Sequence, residues 1–333
     1  MARAERFSLS RRGLLAGASV VAAAGFVGSA AIAPALAKAP MQNTQAPAFY
    51  RFKIGAIEAT VVSDGPLPLG EPKPDIFIGL SKEEFGKALT DNFLPTDNVV
   101  LQQNSLVINT GDRIALFDTG MGTTKILGPD TGRLTGNLKA AGIEPKDVDA
   151  VVLTHAHPDH CFGLMTDDGA RVFPNAQIYM TQADFDFWTD EGKLSNDAIK
   201  AFIEGARKHL LPNRDRMVFV KDGQEFLPGV QAMSAPGHTV GHTVYMITSQ
   251  GKTICNAGDI AHHHVLVVER PRLEFSYDTD GKQAVASRLR VFDMLAAQRL
   301  AFVAYHFPWP GMGYLGKQGD GYRYFPALMQ TVL

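Results

Sequence analysis

The sequence is poor in cysteine: Cys161 and Cys255 are the only two among 333 residues. A disulfide scaffold is therefore excluded, and a chain this long has core enough to fold without one. Cys161 directly follows His160 and Cys255 shortly precedes Asp259, so both read as small buried hydrophobes, with no bond expected between them. Charge of one sign is also missing. Lys and Arg number 32 against 34 Asp and Glu, for a formal net charge of -2. With no basic stripe, a nucleic-acid partner is not expected. There is no Gly-x-Ser-x-Gly elbow, so nothing points to a serine nucleophile. No low-complexity tract or linker divides the chain after residue 48.

One long uncharged run is present, from about Leu14 to Leu36, rich in Ala, Gly and Val. It follows Arg11-Arg12 and ends in Ala35-Leu36-Ala37, a small-x-small cleavage pattern. The paired arginines make residues 1–37 read as a Tat-type export signal, with an uncleaved membrane anchor as the alternative. The expectation is a periplasmic or secreted protein, off the membrane once the signal is cut. Residues 38–48 read as a flexible mature N-terminus, and 49–333 as one domain.

Along that domain, short apolar runs alternate with turn signals and helices. Arg51 to Val62 reads as strands, closed by Ser63-Asp64-Gly65-Pro66. Ser81 followed by Glu83 and Glu84 opens a helix with a serine cap. Val99 to Asn109 and Arg113 to Phe117 read as a hairpin across Thr110-Gly111-Asp112. Leu134 to Ala141 reads as a helix, and Asp149 to Leu153 as a short apolar strand. In the second half, Gln177 to Met180 reads as a strand, with helices over Gln182 to Trp188 and Asn196 to His209. Strands are expected over Gly229 to Ala235, Thr243 to Thr248 and Thr253 to Asn256. Asp280 caps the longest helix, to about Ala297, and Leu300 to Tyr305 is the expected last strand. Two strand-rich halves with helices suggest an α/β sandwich of two sheets with helices outside. The linear order alone also allows a doubly wound sheet.

Of ten histidines, nine fall in four short clusters: 155/157/160, 238/242, 262/263/264 and 306. His155 and His157 follow an apolar strand and, two apart in extended chain, point to one side. Pro158 turns the chain, and Asp159 and His160 enter the next helix. Such imidazoles grip a metal at about 2.0–2.1 Å, and with carboxylates they suit zinc or a similar divalent ion. His238, Asp259 and His306 each follow a further expected strand end.

These segments resemble the metallo-β-lactamase superfamily: His155 to His160 as H-x-H-x-D-H, Gly237 to His242 as G-H-T-x-G-H, and Gly258-Asp259. The resemblance spans residues 50 to 325. It implies an αββα sandwich with the site at one edge of the two mixed sheets. It implies that His155, His157 and His238 hold a first metal, that Asp159, His160 and His306 hold a second, and that Asp259 bridges. Asp118, in Leu116-Phe117-Asp118-Thr119-Gly120, and His242 would then support the ligands from behind. Two divalent ions are implied, zinc first, with manganese, iron or cobalt accepted by the same ligands. The implied chemistry is ester hydrolysis by a hydroxide held between them, with Asp159 as proton shuttle and Asp259 as bridge.

For substrate, the chain resembles the methyl parathion hydrolase group with its lactonase and arylesterase relatives. Phe49-Tyr50-Arg51, Leu127-Gly128-Pro129, Gln182-Ala183-Asp184-Phe185 and Gly319-Asp320-Gly321-Tyr322-Arg323-Tyr324 carry that likeness. It implies a small-molecule lactone or aryl ester as substrate, with promiscuous organophosphate triester hydrolysis, and a homodimer. Trp188, Phe202, Leu127 and His262 are the expected pocket residues; Leu127 stands where the phosphotriesterase has an aromatic. Trp188 reads equally as helix-face core, and His262-His263-His264 as a solvated loop. The rivals are a β-lactamase, against which Asp259 speaks, a glyoxalase II-like thioesterase, and a non-hydrolytic metal-binding or redox protein.

Overall fold

The computed structural model describes Met41, Gln45 and residues 48–71 and 73–333. The expected export signal lies outside the described residues, as does nearly all of the 38–48 segment. The elements below all belong to the unit Gln45–Leu333.

The first half runs β1 (Phe49–Ile54), β2 (Ile57–Ser63), β3 (Leu67–Gly70), β4 (Phe77–Ile78), α1 (Lys82–Asp91), β5 (Val99–Leu101), β6 (Asn104–Asn109), β7 (Ile114–Phe117), α2 (Leu134–Ala140), β8 (Ala150–Val152) and α3 (Pro158–Cys161). It continues with β9 (Gln177–Met180), α4 (Gln182–Thr189), α5 (Lys200–Leu210) and β10 (Met217–Phe219). The second half holds β11 (Glu225–Leu227), β12 (Val230–Ser234), β13 (Thr243–Ser249), β14 (Lys252–Asn256), α6 (Leu266–Glu269), β15 (Glu274–Phe275), α7 (Gly281–Gln298), β16 (Ala301–Val303), β17 (Met312–Gln318) and β18 (Gly321–Pro326).

Two seven-stranded sheets result, ordered β1-β2-β6-β7-β8-β9-β10 and β11-β12-β13-β14-β16-β17-β18. Both are mixed: β7, β8, β9 and β10 pair in parallel, as do β14 and β16, and the remaining neighbours are antiparallel. The period-2 alternation of strands assigns the faces. Ala115 and Phe117 face the second sheet with Val152, Tyr245, Ile254 and Val303. Leu116, Val151 and Ile178 turn outward under Leu138, Phe185 and Ile203 of the helices. On the other side Val244, Cys255 and Phe302 pack under Phe85, Leu266, Val291 and Phe292. The layers are therefore α/β/β/α, and the doubly wound alternative falls away.

Ser81 caps α1 as expected: its side chain accepts from Glu84 N while Glu84 Oε2 accepts from Ser81 N at 2.9 Å. Three expectations are corrected. Val99 to Asn109 is broken at Gln102-Gln103, because those backbones turn aside to bond His306 and Asp64. The helix expected from Asn196 begins at Lys200, since Asn196 Oδ1 accepts from Ala198 N and closes a turn instead. Leu300 to Tyr305 is not the last strand; the β17–β18 hairpin follows it and extends the second sheet. Cys161 and Cys255 are free and buried, in different clusters. Among the described residues no helix is long and apolar enough to cross a membrane.

Candidate metal centre

The ends of β8, β12, β14 and β16 open on one side of the sandwich, and the loop after each carries candidate ligands. After β8, His157 stands in extended conformation as the cap of α3, with Pro158 at the first turn. That turn brings Asp159 and His160 back beneath His155. Thr119 fixes it, its N and Oγ1 both bonding His160 O, and Tyr305 donates to Asp159 O at 2.5 Å. After β12, Gly237 has φ +126, and a Cβ there would lie 2.0 Å from Ala284 N of α7. Only glycine allows that approach, and it sets His238. After β14, a Cβ on Gly258 (φ +48) would lie 2.8 Å from His242 Nε2.

The seven expected ligands meet. His155, His157 and His238 form one group whose ligand atoms lie within 4.8 Å of one another, and Asp159, His160 and His306 form another. Asp259 Oδ2 sits between: it is 3.0 Å from His306 Nε2, 3.4 Å from His160 and His238 Nε2, and 3.8 Å from His155 Nε2. All seven side chains are buried.

Four of the five ligand imidazoles are turned by a partner behind them. His155 Nδ1 is 3.0 Å from Thr154 Oγ1, which itself donates to Asp118 Oδ2, so the ring donates there. His160 Nδ1 meets Asp118 Oδ2 at 3.0 Å, His238 Nδ1 meets Asp278 Oδ1 at 2.9 Å, and His306 Nδ1 donates to Gln102 O at 2.8 Å. The Nε2 lone pairs are thereby left facing one another across Asp259, as metal ligation requires. Asp118 reaches its partners from a left-handed backbone (φ 61) at the end of β7. His242 acts on the bridge's own backbone. Its Nδ1 donates to Ala235 O and its Nε2 accepts from Asp259 N, both at 3.0 Å.

The residues fit a divalent pair. Burial opposes charge on His238, yet the hydrogen bonds and charges of Asp259 and Asp278 push it up to about 9. His160 and His306 are likewise raised, Asp259 and Asp159 overcoming burial. Burial, and then the neighbouring histidines, hold His155 and His157 low. Asp259 is held well below its usual range, against burial, by His306 and His160. Buried carboxylates here demand positive charge, while neutral imidazoles offer lone pairs to receive it. His160 Nε2 and Asp259 Oδ1 have no hydrogen-bond partner, although buried.

Above the ligands lies an open cavity lined by Leu67, Leu69, Leu101, Leu127, Phe202, His262, Phe275 and Tyr277 beside the ligands. Leu127, Phe202 and His262 all line it. His262 is no solvated-loop residue: it is buried, stacked on Phe275 at 3.8 Å between centroids, with Nε2 3.3 Å from Asp259 Oδ2 and neither ring nitrogen hydrogen-bonded. His263 is buried too, its Nδ1 accepting from Val265 and Leu266 N. Trp188 is corrected: it packs edge-on behind His157 at 4.8 Å, in the helix-side core and off the cavity wall.

Sequence reasoning missed Asp278 and Asp184. Asp184 is fully buried and accepts from Ala156 N at 2.7 Å and Gly241 N at 3.0 Å, which ties the two histidine loops together. Asp278 is paired with Arg288 (3.9 Å), whose guanidinium also donates to Ile260, Pro271 and Leu273 carbonyls.

A four-layer sandwich with paired His/Asp groups at its strand ends fits a binuclear metal site. Residues 98–306 match the family model of the metallo-β-lactamase superfamily, and the chain belongs to that superfamily. An N-acyl homoserine lactonase from Bacillus sp is 29% identical over 171 residues, 51% of this chain and 57% of that protein. The chain thus spans little more than half the length of that curated relative. Among solved structures, AidC, a dizinc quorum-quenching lactonase in complex with a product, is 29% identical with a TM-score of 0.79, over 85% of this chain and 99% of that one. The hydrolase AbOPH is 28% identical with a TM-score of 0.80, over 86% and 100% of the two chains.

Proposed function

We propose that this protein is a binuclear metal-dependent hydrolase of lactones and aryl esters, with weaker turnover of organophosphate triesters. The observation that carries the reading is the convergence of five imidazole Nε2 atoms, those of His155, His160, His238, His262 and His306, on Asp259 Oδ2 within 3.0–3.8 Å, at the floor of an apolar cavity. His155, His157 and His238 would hold one ion and Asp159, His160 and His306 the other, with Asp259 between the two groups. When bound, a pair of divalent ions supplies Lewis acidity toward an acyl oxygen and brings the pKa of a water near neutrality, to about 7. The chain's own residues do the rest. Asp118, Asp278, Thr154 and the Gln102 carbonyl keep the ligand tautomers fixed. Asp159, which also lines the cavity, takes the proton released on attack and returns it to the departing alkoxide. The leucine wall and the Phe202, Phe275 and Tyr277 rings hold the organic part of the substrate and exclude water. The lactonase and hydrolase relatives support the lactone reading; the apolar lining supports an acyl or aryl substituent.

The test is a substrate panel on metal-loaded protein: acyl-homoserine lactones, dihydrocoumarin, a phenyl ester, a paraoxon-type triester and a cephalosporin. Lactones and aryl esters are expected to lead; dominant cephalosporin turnover would overturn the reading. Two further proposals rest on the sequence alone: export by a Tat-type signal to the periplasm or beyond, and a homodimer.

A further inference from the structure

Asp64 is a fully buried carboxylate whose side-chain hydrogen bonds all come from backbone outside the proposed ligands. It lies between β2 and β3 and gathers backbone from far along the chain. Its Oδ2 accepts from Met121 N at 2.8 Å and Gly132 N at 3.1 Å, and its Oδ1 accepts from Leu134 N at 2.8 Å. Leu134 opens α2, whose cap residue Arg133 contributes no side-chain bond, so Asp64 caps that helix from 70 residues away. Its own backbone bonds Gln103 O at 2.8 Å and Arg133 N at 3.0 Å. Three donors to one carboxylate imply an ionised acceptor, though burial raises its pKa to about 6.

The segments so gathered carry one wall of the cavity. Leu67 and Leu69 follow Asp64 on β3, and β3 pairs with β5, Leu67 opposite Leu101. Leu127 sits in the segment between Met121 and Gly132, whose two ends the carboxylate grips. Close approaches lock this packing. A Cβ on Gly120 would lie 2.5 Å from the Asp64 carboxyl carbon, and one on Gly128 would lie 2.9 Å from Pro68 Cδ. The four leucines that line the cavity therefore hang from one buried acid.

We propose that Asp64 is a positioning residue that sets substrate specificity, holding segment 120–134 against β3 so that Leu67, Leu69, Leu101 and Leu127 form the seat for the substrate's apolar chain. The inference rests on the lactone reading for the identity of the substrate, but not for the geometry of the wall. The test uses the metal-loaded full chain with Asp64→Ala and Asp64→Asn. In one amide orientation Asn keeps the two Oδ2 bonds, so the defect is graded. Binding of N-decanoyl-homoserine is measured by calorimetry, turnover is compared for a decanoyl-substituted and an unsubstituted lactone, and amide exchange is followed at Met121, Gly132 and Leu134. In Asp64→Ala, decanoyl binding is expected to weaken by roughly tenfold or more, as loss of charge-assisted bonds implies. KM for the decanoyl lactone should rise well beyond any change for the unsubstituted one, with zinc content unchanged and protection lost at the three amides. Asp64→Asn should fall between. Equal losses on both lactones, unaltered protection, or decanoyl binding that is absent from wild type or untouched in the variants would overturn the proposal. Turnover of neither lactone by wild type would instead sink the functional reading, with binding and exchange still deciding the role of Asp64.

Discussion

Replacing Asp278 by Asn tests how the site is held, because Asp278 bonds His238 at Nδ1 and so fixes its tautomer. Its Oδ1 accepts from His238 Nδ1 at 2.9 Å, its Oδ2 accepts from Phe275 N at 3.2 Å, and the carboxylate faces the buried Arg288 guanidinium at 3.9 Å. Burial opposes the charge of Asp278, but the bond and charge of His238, with His262 and Arg288, together outweigh it and hold the carboxyl below its usual range. Asn retains an acceptor but not the charge, and a charge-assisted bond is about twice as strong as a neutral one. The weakened bond costs about 1–1.5 kcal/mol, and removing the counter-charge of Arg288 adds to it. Outer partners of metal histidines are worth about 10–100-fold in metal affinity, which is the loss expected here. The assay is competition for zinc against a chromogenic chelator at neutral pH. An affinity within about threefold of wild type, in both Asp278→Asn and Asp278→Ala, would refute the reasoning.

Trp188→Ala should act on stability, costing about 3–5 kcal/mol by urea unfolding, because the ring fills core behind His157; unchanged stability with a raised KM would restore it to the cavity wall. His209 stacks on Phe162 at 4.8 Å, and burial, then Lys208, lowers its pKa to about 4. The unfolded chain therefore binds its proton first, so this contribution is complete above about pH 6.5 and lost as pH falls toward 4. In metal-free protein, His209→Phe should flatten the stability curve over that window, and an unchanged slope would contradict the assignment. Burial raises both thiols, Cys255 to about 12 and Cys161 also well above its usual value, so iodoacetamide should label neither in folded protein and both in urea; rapid labelling of folded protein would count against their burial.

The ligands were legible because each loop delivers its groups within a few residues of a strand end. His155, His157, Asp159 and His160 are contiguous in sequence, and two-residue spacing in extended chain already fixes a common side. The partners behind them were not legible. Asp278 stands 40 residues from the imidazole it orients and Asp64 stands 57 and 70 residues from donors it gathers, so each reads locally as an ordinary turn aspartate. Asp184 enters the sequence reading only within Gln182-Ala183-Asp184-Phe185, with no role attached to it. Trp188 shows the limit of periodicity: it marks one face of α4 but not what that face meets. His262 needed the third dimension as well, since three consecutive histidines look solvated until the loop folds under Phe77 and Phe275. The β17–β18 hairpin escaped notice because Gly313 and Gly316 interrupt its pattern. Both glycines admit the rings of Tyr324 and Phe325 from the neighbouring strand.

The most direct test is to titrate zinc into chelator-stripped protein while recording hydrolysis of a δ-lactone. The account expects almost no turnover without metal and a rate that rises until two ions are bound per chain. Equal rates in stripped and loaded protein, or saturation at a single ion, would contradict a two-metal site built on Asp259.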